Sequence, residues 1–211
     1  RGGLVLCREK YAEWLDKGCP LVLGGPLPHV MAAKAVAFQE ASTPEFQKYS
    51  AAVVENSKAL AAGLMEKGLR LTSGGTDNHL MVVDISGLGL TGRQAENALR
   101  EAKITLNRNS IPFDPNGAWY TSGLRFGTAA LTSLGMNTED MKVIAGVIHL
   151  ILSNTQPTTI QKGKSAGQKS KAKYTVDATA LEQACATVNE LLSKYVLYPD
   201  LDLDVLKKLV N

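Results

Sequence analysis

Long stretches in which apolar residues recur every three to four positions alternate along this chain with short, densely apolar runs, and turn residues separate the two kinds of pattern. Leu4-Val5-Leu6, led in by Arg1-Gly2-Gly3, reads as an apolar strand with turn residues at its edge. Gly24-Gly25-Pro26-Leu27-Pro28 is a rigid turn feeding a helix marked by Val30, Met31, Lys34, Ala35 and Phe38. Ser42-Thr43-Pro44-Glu45 then supplies a cap hydroxyl, a proline suited to the first helical turn and an early carboxylate. The stripe Phe46, Tyr49, Val53, Leu60 and Leu64 carries that helix to Gly68. Beyond it, 69–72 and 79–85 read as strands around Gly74-Gly75, and Thr91-Gly92-Arg93-Gln94 opens a helix ending near Lys103. Further strands are predicted at 104–107 and 124–126. A helix begins near Thr138 with Met141, Ile144, Ala145, Ile148 and Leu152 on one face, and another carries Leu181, Cys185, Val188, Leu192 and Tyr195 before Pro199. There is no internal repeat. The alternation predicts an α/β fold in which helices cover a small sheet.

One stretch breaks the pattern. From Asn154 to about Ala178 the residues turn to Thr, Gln, Ser, Gly and Lys, with Lys162, Lys164, Lys169, Lys171 and Lys173 close together, and a mobile, exposed insertion is expected. Its Gly163-Lys164-Ser165 has the ending of a phosphate-binding P-loop, but Thr158 stands where that motif needs its first glycine and no apolar strand leads in, so the P-loop reading fails. Without interleaved aromatics or arginines, a solvated linker is favoured over a nucleic-acid tail.

Composition narrows the class. With 211 residues, 45% of them hydrophobic, the chain can bury a substantial core. Its 23 basic and 20 acidic residues leave a net charge of +3, too mild to imply nucleic acid as a partner. Cys7, Cys19 and Cys185 are odd in number and far apart, which fits a reducing compartment, read as the cytoplasm, and offers no zinc spacing. No apolar run approaches the roughly 18 to 20 residues of a membrane span, and no leader opens the chain. Because the predicted Leu4–Leu6 strand stands at the very start, without a methionine, the chain is expected to be part of something longer, with that strand prone to association if unpaired.

The densest candidate chemistry lies in Asn107-Arg108-Asn109-Ser110-Ile111-Pro112-Phe113-Asp114 and in Thr121-Ser122-Gly123-Leu124-Arg125-Phe126-Gly127-Thr128. Arg125 sits between glycines, where its planar fork can grip a carboxylate at two points as lysine cannot. The loop before it carries Asn109, Pro112, Pro115, Asn116 and Gly117, which fix turns and offer amides, so an ordered though irregular backbone is expected. His29, His79 and His149 are too scattered for a metal site, and Asp77-Asn78-His79 reads as a hydrogen-bonded turn entering a strand. Cys185 is expected to be buried on its helix stripe, and Asp84 to lie at a strand's polar edge.

Taken together, Arg1-Gly2-Gly3-Leu4, Gly24-Gly25-Pro26-Leu27, Lys34-Ala35-Val36-Ala37, Ser73-Gly74-Gly75-Thr76-Asp77-Asn78-His79-Leu80, Asn109-Ser110-Ile111-Pro112 and Thr121-Ser122-Gly123-Leu124-Arg125 resemble the C-terminal half of the serine hydroxymethyltransferase family. The resemblance spans nearly the whole chain apart from the lysine-rich stretch. It implies a pyridoxal-phosphate enzyme of the aspartate-aminotransferase-like fold (fold type I), with residues 1–41 ending the large cofactor-binding domain and 42–211 forming a small C-terminal α/β domain. It also implies interconversion of serine and glycine with one-carbon transfer to or from tetrahydrofolate. On this resemblance Arg125 binds the substrate carboxylate. Gly24 and Gly25 meet the pyridoxal 5'-phosphate phosphate of a neighbouring subunit. Asn109, Gly117, Ala118 and Trp119 form the folate site. A homodimer or tetramer is implied, and neither membrane nor nucleic acid is expected as a partner.

Two departures matter. Pro20-Leu21-Val22-Leu23 stands where the family has Pro-Gly-x-Gln, so side-chain contacts of that Gln do not carry over, although backbone contacts of Gly24 and Gly25 do. The Schiff-base lysine of the family lies just upstream of Arg1, and no lysine here matches it, so these residues alone are expected to be inactive. The alternatives are another fold-type-I enzyme, a threonine aldolase or an aminotransferase, and a non-catalytic binding or dimerisation module. Folate dependence separates the first, and salt-sensitive RNA binding through Lys162–Lys173 would mark the second.

Overall fold

A computed structural model describes residues 3–163 and 165–201. Arg1 and Gly2 of the predicted opening run, and Lys164 of the predicted insertion, lie outside the described residues. The chain forms two compact units, Arg1–Lys48 and Tyr49–Asn211.

In the first unit, Leu4–Leu6 is not a strand: it is irregular and exposed, because no strand among the described residues offers it a ladder of hydrogen bonds. A helix, α1 (Ala12–Leu23), follows a single 3-10 turn at Glu9–Tyr11. Gly18 and Pro20 hide it in a propensity reading, since both argue against a helix interior. The Gly24–Leu27 turn then leads to α2 (Pro28–Ala41), whose proline occupies the first turn. Lys34 Nζ donates to the Gly3 carbonyl at 2.6 Å.

The helix α3 (Pro44–Glu66) buries Val53, Leu60 and Leu64 as its stripe predicts. It leads to a four-stranded antiparallel sheet of β1 (Arg70–Leu71), β2 (Leu80–Asp84), β3 (Asn107–Asn109) and β4 (Gly123–Gly127), in the order β1-β2-β4-β3. One face of this sheet, with Met81, Val83, Leu124 and Phe126, is buried with apolar side chains of α3, of α4 (Gly92–Glu101) and of α6 (Thr138–Ser153). The short α5 (Ala129–Ser133) and α7 (Ala178–Lys194) complete the helices. The α/β class read from the pattern is the one observed.

Helix α4 is held by sequence-readable chemistry. Thr91 and Gln94 form a reciprocal capping box, and Gly92 lies so close to the sheet that a Cβ there would stand 2.2 Å from Thr121 Oγ1 and 2.7 Å from the Gly123 carbonyl. The helix ends at Glu101, and Lys103, two residues on, takes φ 64° and lets Ile104 N reach back to the Leu99 carbonyl at 2.9 Å. This wrap uses up the residues expected to begin a strand at 104, so the strand forms three residues later, as β3.

Residues 154–178, expected as a mobile insertion, instead contain a hairpin of β5 (Thr155–Thr159) and β6 (Lys169–Val176). Along β6 the lysines at 169, 171 and 173 point outward, while Ser170, Ala172, Tyr174 and Val176 are half-buried. What composition reads as a solvated lysine run is the polar side of an alternating strand. Gln94 Nε2 donates to the carbonyls of Ser170 (2.7 Å) and Lys173 (2.9 Å), and Thr91 Oγ1 to that of Lys171 (2.8 Å). The hairpin is thereby bound to the N-terminus of α4.

Asp84 also departs from expectation. It lies on the interior strand β2, only 6% exposed, because Arg70 of β1 covers it with hydrogen bonds from Nε (3.0 Å) and Nη2. Cys185, read from its helix stripe as buried, is half-buried, its Sγ 3.6 Å from the Glu101 carbonyl.

Candidate functional site

The register of the sheet decides which candidate residues can meet. Arg125 pairs with Val82 on one side and Asn107 on the other, and Gly123 pairs with Asn109. Side chains alternate along a strand, so Arg125, Asn107 and Asn109 project from the face opposite Leu124 and Phe126. Arg125 is exposed on this face, and among the described residues no carboxylate pairs with it. Asn109 stands two positions along the ladder, roughly 7 Å away along the strand direction, with its Nδ2 on the Ser110 carbonyl at 2.7 Å. Arg125 also borders a largely apolar cavity of about 900 Å³, whose polar lining includes His79, Lys103 and Asn107. A planar cation without a carboxylate partner beside amide groups is suited to a small carboxylate ligand.

Trp119 belongs to the other side of the sheet. Its ring lies against Arg93 of α4 (5.0 Å from Cζ to ring centroid) and against Arg108 (5.5 Å). Arg108 in turn donates to Glu96 Oε2 at 2.6 Å. The alternation that turns Asn109 toward Arg125 turns Arg108 toward α4 and Trp119 with it. Gly117 and Ala118 are exposed in the turn before Trp119, with the Gly117 carbonyl accepting from Tyr120 N and Thr121 N. The geometry thus brings Arg125 and Asn109 together and sets the 117–119 segment apart from them. Gly24 and Gly25 belong to the first unit. Gly24 has φ 78° and ψ −179°, and no atom stands within 4 Å of where a Cβ would project from either glycine.

Asp114 gives the irregular loop its order. Its Oδ2 accepts from Ile111 N (3.1 Å) and Ser122 N (2.8 Å), and its Oδ1 from Asn116 N (2.8 Å) and Ser122 Oγ (2.6 Å). Burial pushes this carboxyl up, but the bonds from Ser122, Asn116 and Ile111 outweigh it and hold the pKa below its ordinary 3.8. The loop closes through Thr121, which takes φ 54° and whose carbonyl accepts from Gly92 N at 3.0 Å. Asp114 falls in the turn-rich run that the sequence singles out, but its role as a hub depends on Ser122, eight residues on, and local spacing gives no sign of that. The turn at 76–80 forms as read, with Asn78 Oδ1 accepting from Leu80 N at 2.9 Å. Among the described residues there is no cluster of His, Cys, Asp and Glu suited to a metal, and no helix long and apolar enough to cross a membrane.

Fold and site define an α/β module that backs a small antiparallel sheet with helices and presents a carboxylate-free arginine on the open face. Comparison with known proteins places that module: the chain belongs to the serine hydroxymethyltransferase family, whose sequence model matches residues 7–148. It is 54% identical over 202 residues to the serine hydroxymethyltransferase of Treponema pallidum, covering 96% of this chain and 34% of that protein. Against that of Salinispora tropica it is 53% identical over 203 residues (96% and 42%), and against that of Chlamydia muridarum 47% over 206 (98% and 41%). The chain therefore spans about a third to two-fifths of the length of the curated relatives it matches.

Proposed function

We propose that the chain is the C-terminal part of a pyridoxal-phosphate-dependent serine hydroxymethyltransferase of the cytoplasm. Residues 1–41 end its cofactor-binding domain, and residues 42–211 form its smaller domain. The whole protein interconverts serine and glycine, with a one-carbon unit passing to or from tetrahydrofolate. The observation that carries this reading is Arg125, exposed and without a carboxylate partner in a chain of this family. Its guanidinium takes the amino acid's carboxylate in two parallel hydrogen bonds, which fixes the orientation of the bond to be broken. Asn109 offers its amide to the pterin ring, whereas Gly117, Ala118 and Trp119 are assigned to folate by the family resemblance, their turn lying on the other side of the sheet from Asn109.

The residues present fit the cofactor at its phosphate. Gly24 and Gly25 leave their surroundings open, and they precede α2, whose N-terminus carries no side-chain cap and favours an anion. That phosphate belongs to the cofactor of a neighbouring subunit, so the protein works as a homodimer or tetramer. When bound, pyridoxal phosphate supplies an electron sink for charge developing on the amino acid. Its Schiff-base lysine is supplied from outside the 211 residues.

The test is Arg125→Ala beside Arg125→Lys in the whole protein. Losing a charge-assisted two-point contact should lower kcat/KM for serine by about 30- to 1,000-fold, or about 2 to 4 kcal/mol. Lysine should restore only part of it. Wild-type kinetics in Arg125→Ala would remove the assignment.

A further inference from the structure

The β5–β6 hairpin reaches the candidate site through one side chain. Lys171 Nζ donates to Asn116 Oδ1 at 2.9 Å, Asn116 Nδ2 donates to Ser122 Oγ at 3.0 Å, and Ser122 Oγ donates to Asp114 Oδ1 at 2.6 Å. This is a continuous relay from the hairpin to the hub of the 110–122 loop. Its outer end is fixed as well, because Thr91 Oγ1 and Gln94 Nε2 hold the carbonyls of Lys171 and of its neighbours Ser170 and Lys173. Lys171 therefore starts from a backbone anchored on α4 and ends on an amide whose other side orders the loop. Among the described residues this lysine has no carboxylate partner, so its ammonium is committed to that amide.

We propose that Lys171 is a positioning residue for the folate-facing loop, acting through Asn116 and Ser122, and that the hairpin is the element that sets this loop's geometry. The inference rests on the reading of Asn109 and the 117–119 segment given above. It also predicts a split between the two substrates. Arg125 is held by ladder partners on both sides, Val82 of β2 and Asn107 of β3, and does not need the relay. The loop has no ladder: its 120–122 end is tied by hydrogen bonds from Ile85 N, Gly92 N and Arg93 N to the carbonyls of Ser122, Thr121 and Tyr120, and its 111–116 part is ordered through Asp114, Asn116 and Ser122. Loss of Lys171 leaves Asn116 Oδ1 without its protein donor and loosens the loop while β4 stays in place.

The experiment is Lys171→Met in the whole protein, with Lys171→Arg as the conservative control. Steady-state kinetics in both substrates is combined with amide hydrogen exchange over residues 111–122. Methionine should raise the KM for tetrahydrofolate by roughly threefold to tenfold, the size expected for one lost hydrogen bond, and should leave the KM for serine within about twofold. The amides of Ile111, Asn116 and Ser122 should exchange faster, and arginine should restore both readouts. Unchanged exchange in Lys171→Met overturns the relay, and a parallel rise in the serine KM overturns the split. If the wild-type protein turns over no folate, it is the functional reading that fails, and the exchange result alone then decides whether the hairpin positions the loop.

Discussion

Asp114 and Arg125 do opposite jobs. Arg125 is exposed and carries no carboxylate partner, while Asp114 has spent its acceptors on four donors of its own loop. Replacing Asp114 with Asn keeps size but turns one oxygen into a donor that faces N–H and O–H groups. We expect a cost of about 1 to 3 kcal/mol, read as earlier urea unfolding of the domain and faster exchange over 111–122. An unchanged transition would show that the loop is held by other means. The pH sign follows from the lowered pKa: the folded state prefers the ionised carboxylate, so its contribution is complete above the ordinary 3.8 and is lost as pH falls through the lower folded value. Loop protection should therefore be level near neutrality and decline only in acid, and Asp114→Asn should flatten that decline. Asp84 should act in the same direction. Burial raises its pKa, but the bonds from Ser86 and Arg70 prevail and leave it lowered. Arg125 stood out in the sequence because glycines flank it. The burial of Asp84 did not, since a partner fourteen residues earlier, Arg70, meets it only when β1 pairs with β2.

Among the elements, α4 is the one most others depend on. It packs on the sheet, caps itself through Thr91 and Gln94, and anchors the hairpin through the same two side chains. Gly92 allows this, since a Cβ would strike a backbone carbonyl at 2.7 Å and the Thr121 hydroxyl at 2.2 Å, and neither is the free end of a long side chain. Gly92→Ala should destabilise the domain by at least about 1 to 3 kcal/mol, the range for overpacking a tight contact, despite alanine's better helix propensity. A calorimetric Tm equal to wild type would contradict it. The start of α4 was legible because a capping box is a local signal. The hairpin was not legible, because its inward side mixes Ser170 with Ala172, Tyr174 and Val176 and is held in part by polar groups of α4, so the lysines on its outward side dominated the pattern. The Leu4–Leu6 strand failed for the converse reason: three apolar residues satisfy the local pattern, but a strand exists only with a partner.

At the scale of the whole molecule, the motifs that mark the family are spread from Arg1 to Arg125, and the family's sequence model covers residues 7–148. No single element carries them, so the resemblance was stronger than any physical signal from one site. The chain nevertheless spans only 34% of its Treponema pallidum relative and 42% of its Salinispora tropica relative, and it offers an exposed arginine without a carboxylate partner and a glycine turn, while on the family resemblance no lysine matches the Schiff-base position. This division of labour can be tested directly. Borohydride reduction of the whole protein converts the imine joining cofactor and lysine into a stable amine, and peptide mass analysis then locates the pyridoxyl group. The adduct should fall on one lysine outside these 211 residues, while every peptide derived from them keeps its unmodified mass. Arg125→Ala should leave that labelling intact, because the arginine is assigned to the amino acid and not to the cofactor. A pyridoxyl group on any lysine within the chain would mean that the cofactor is held here, and that Arg125 and the Gly24-Gly25 turn must be reassigned around it.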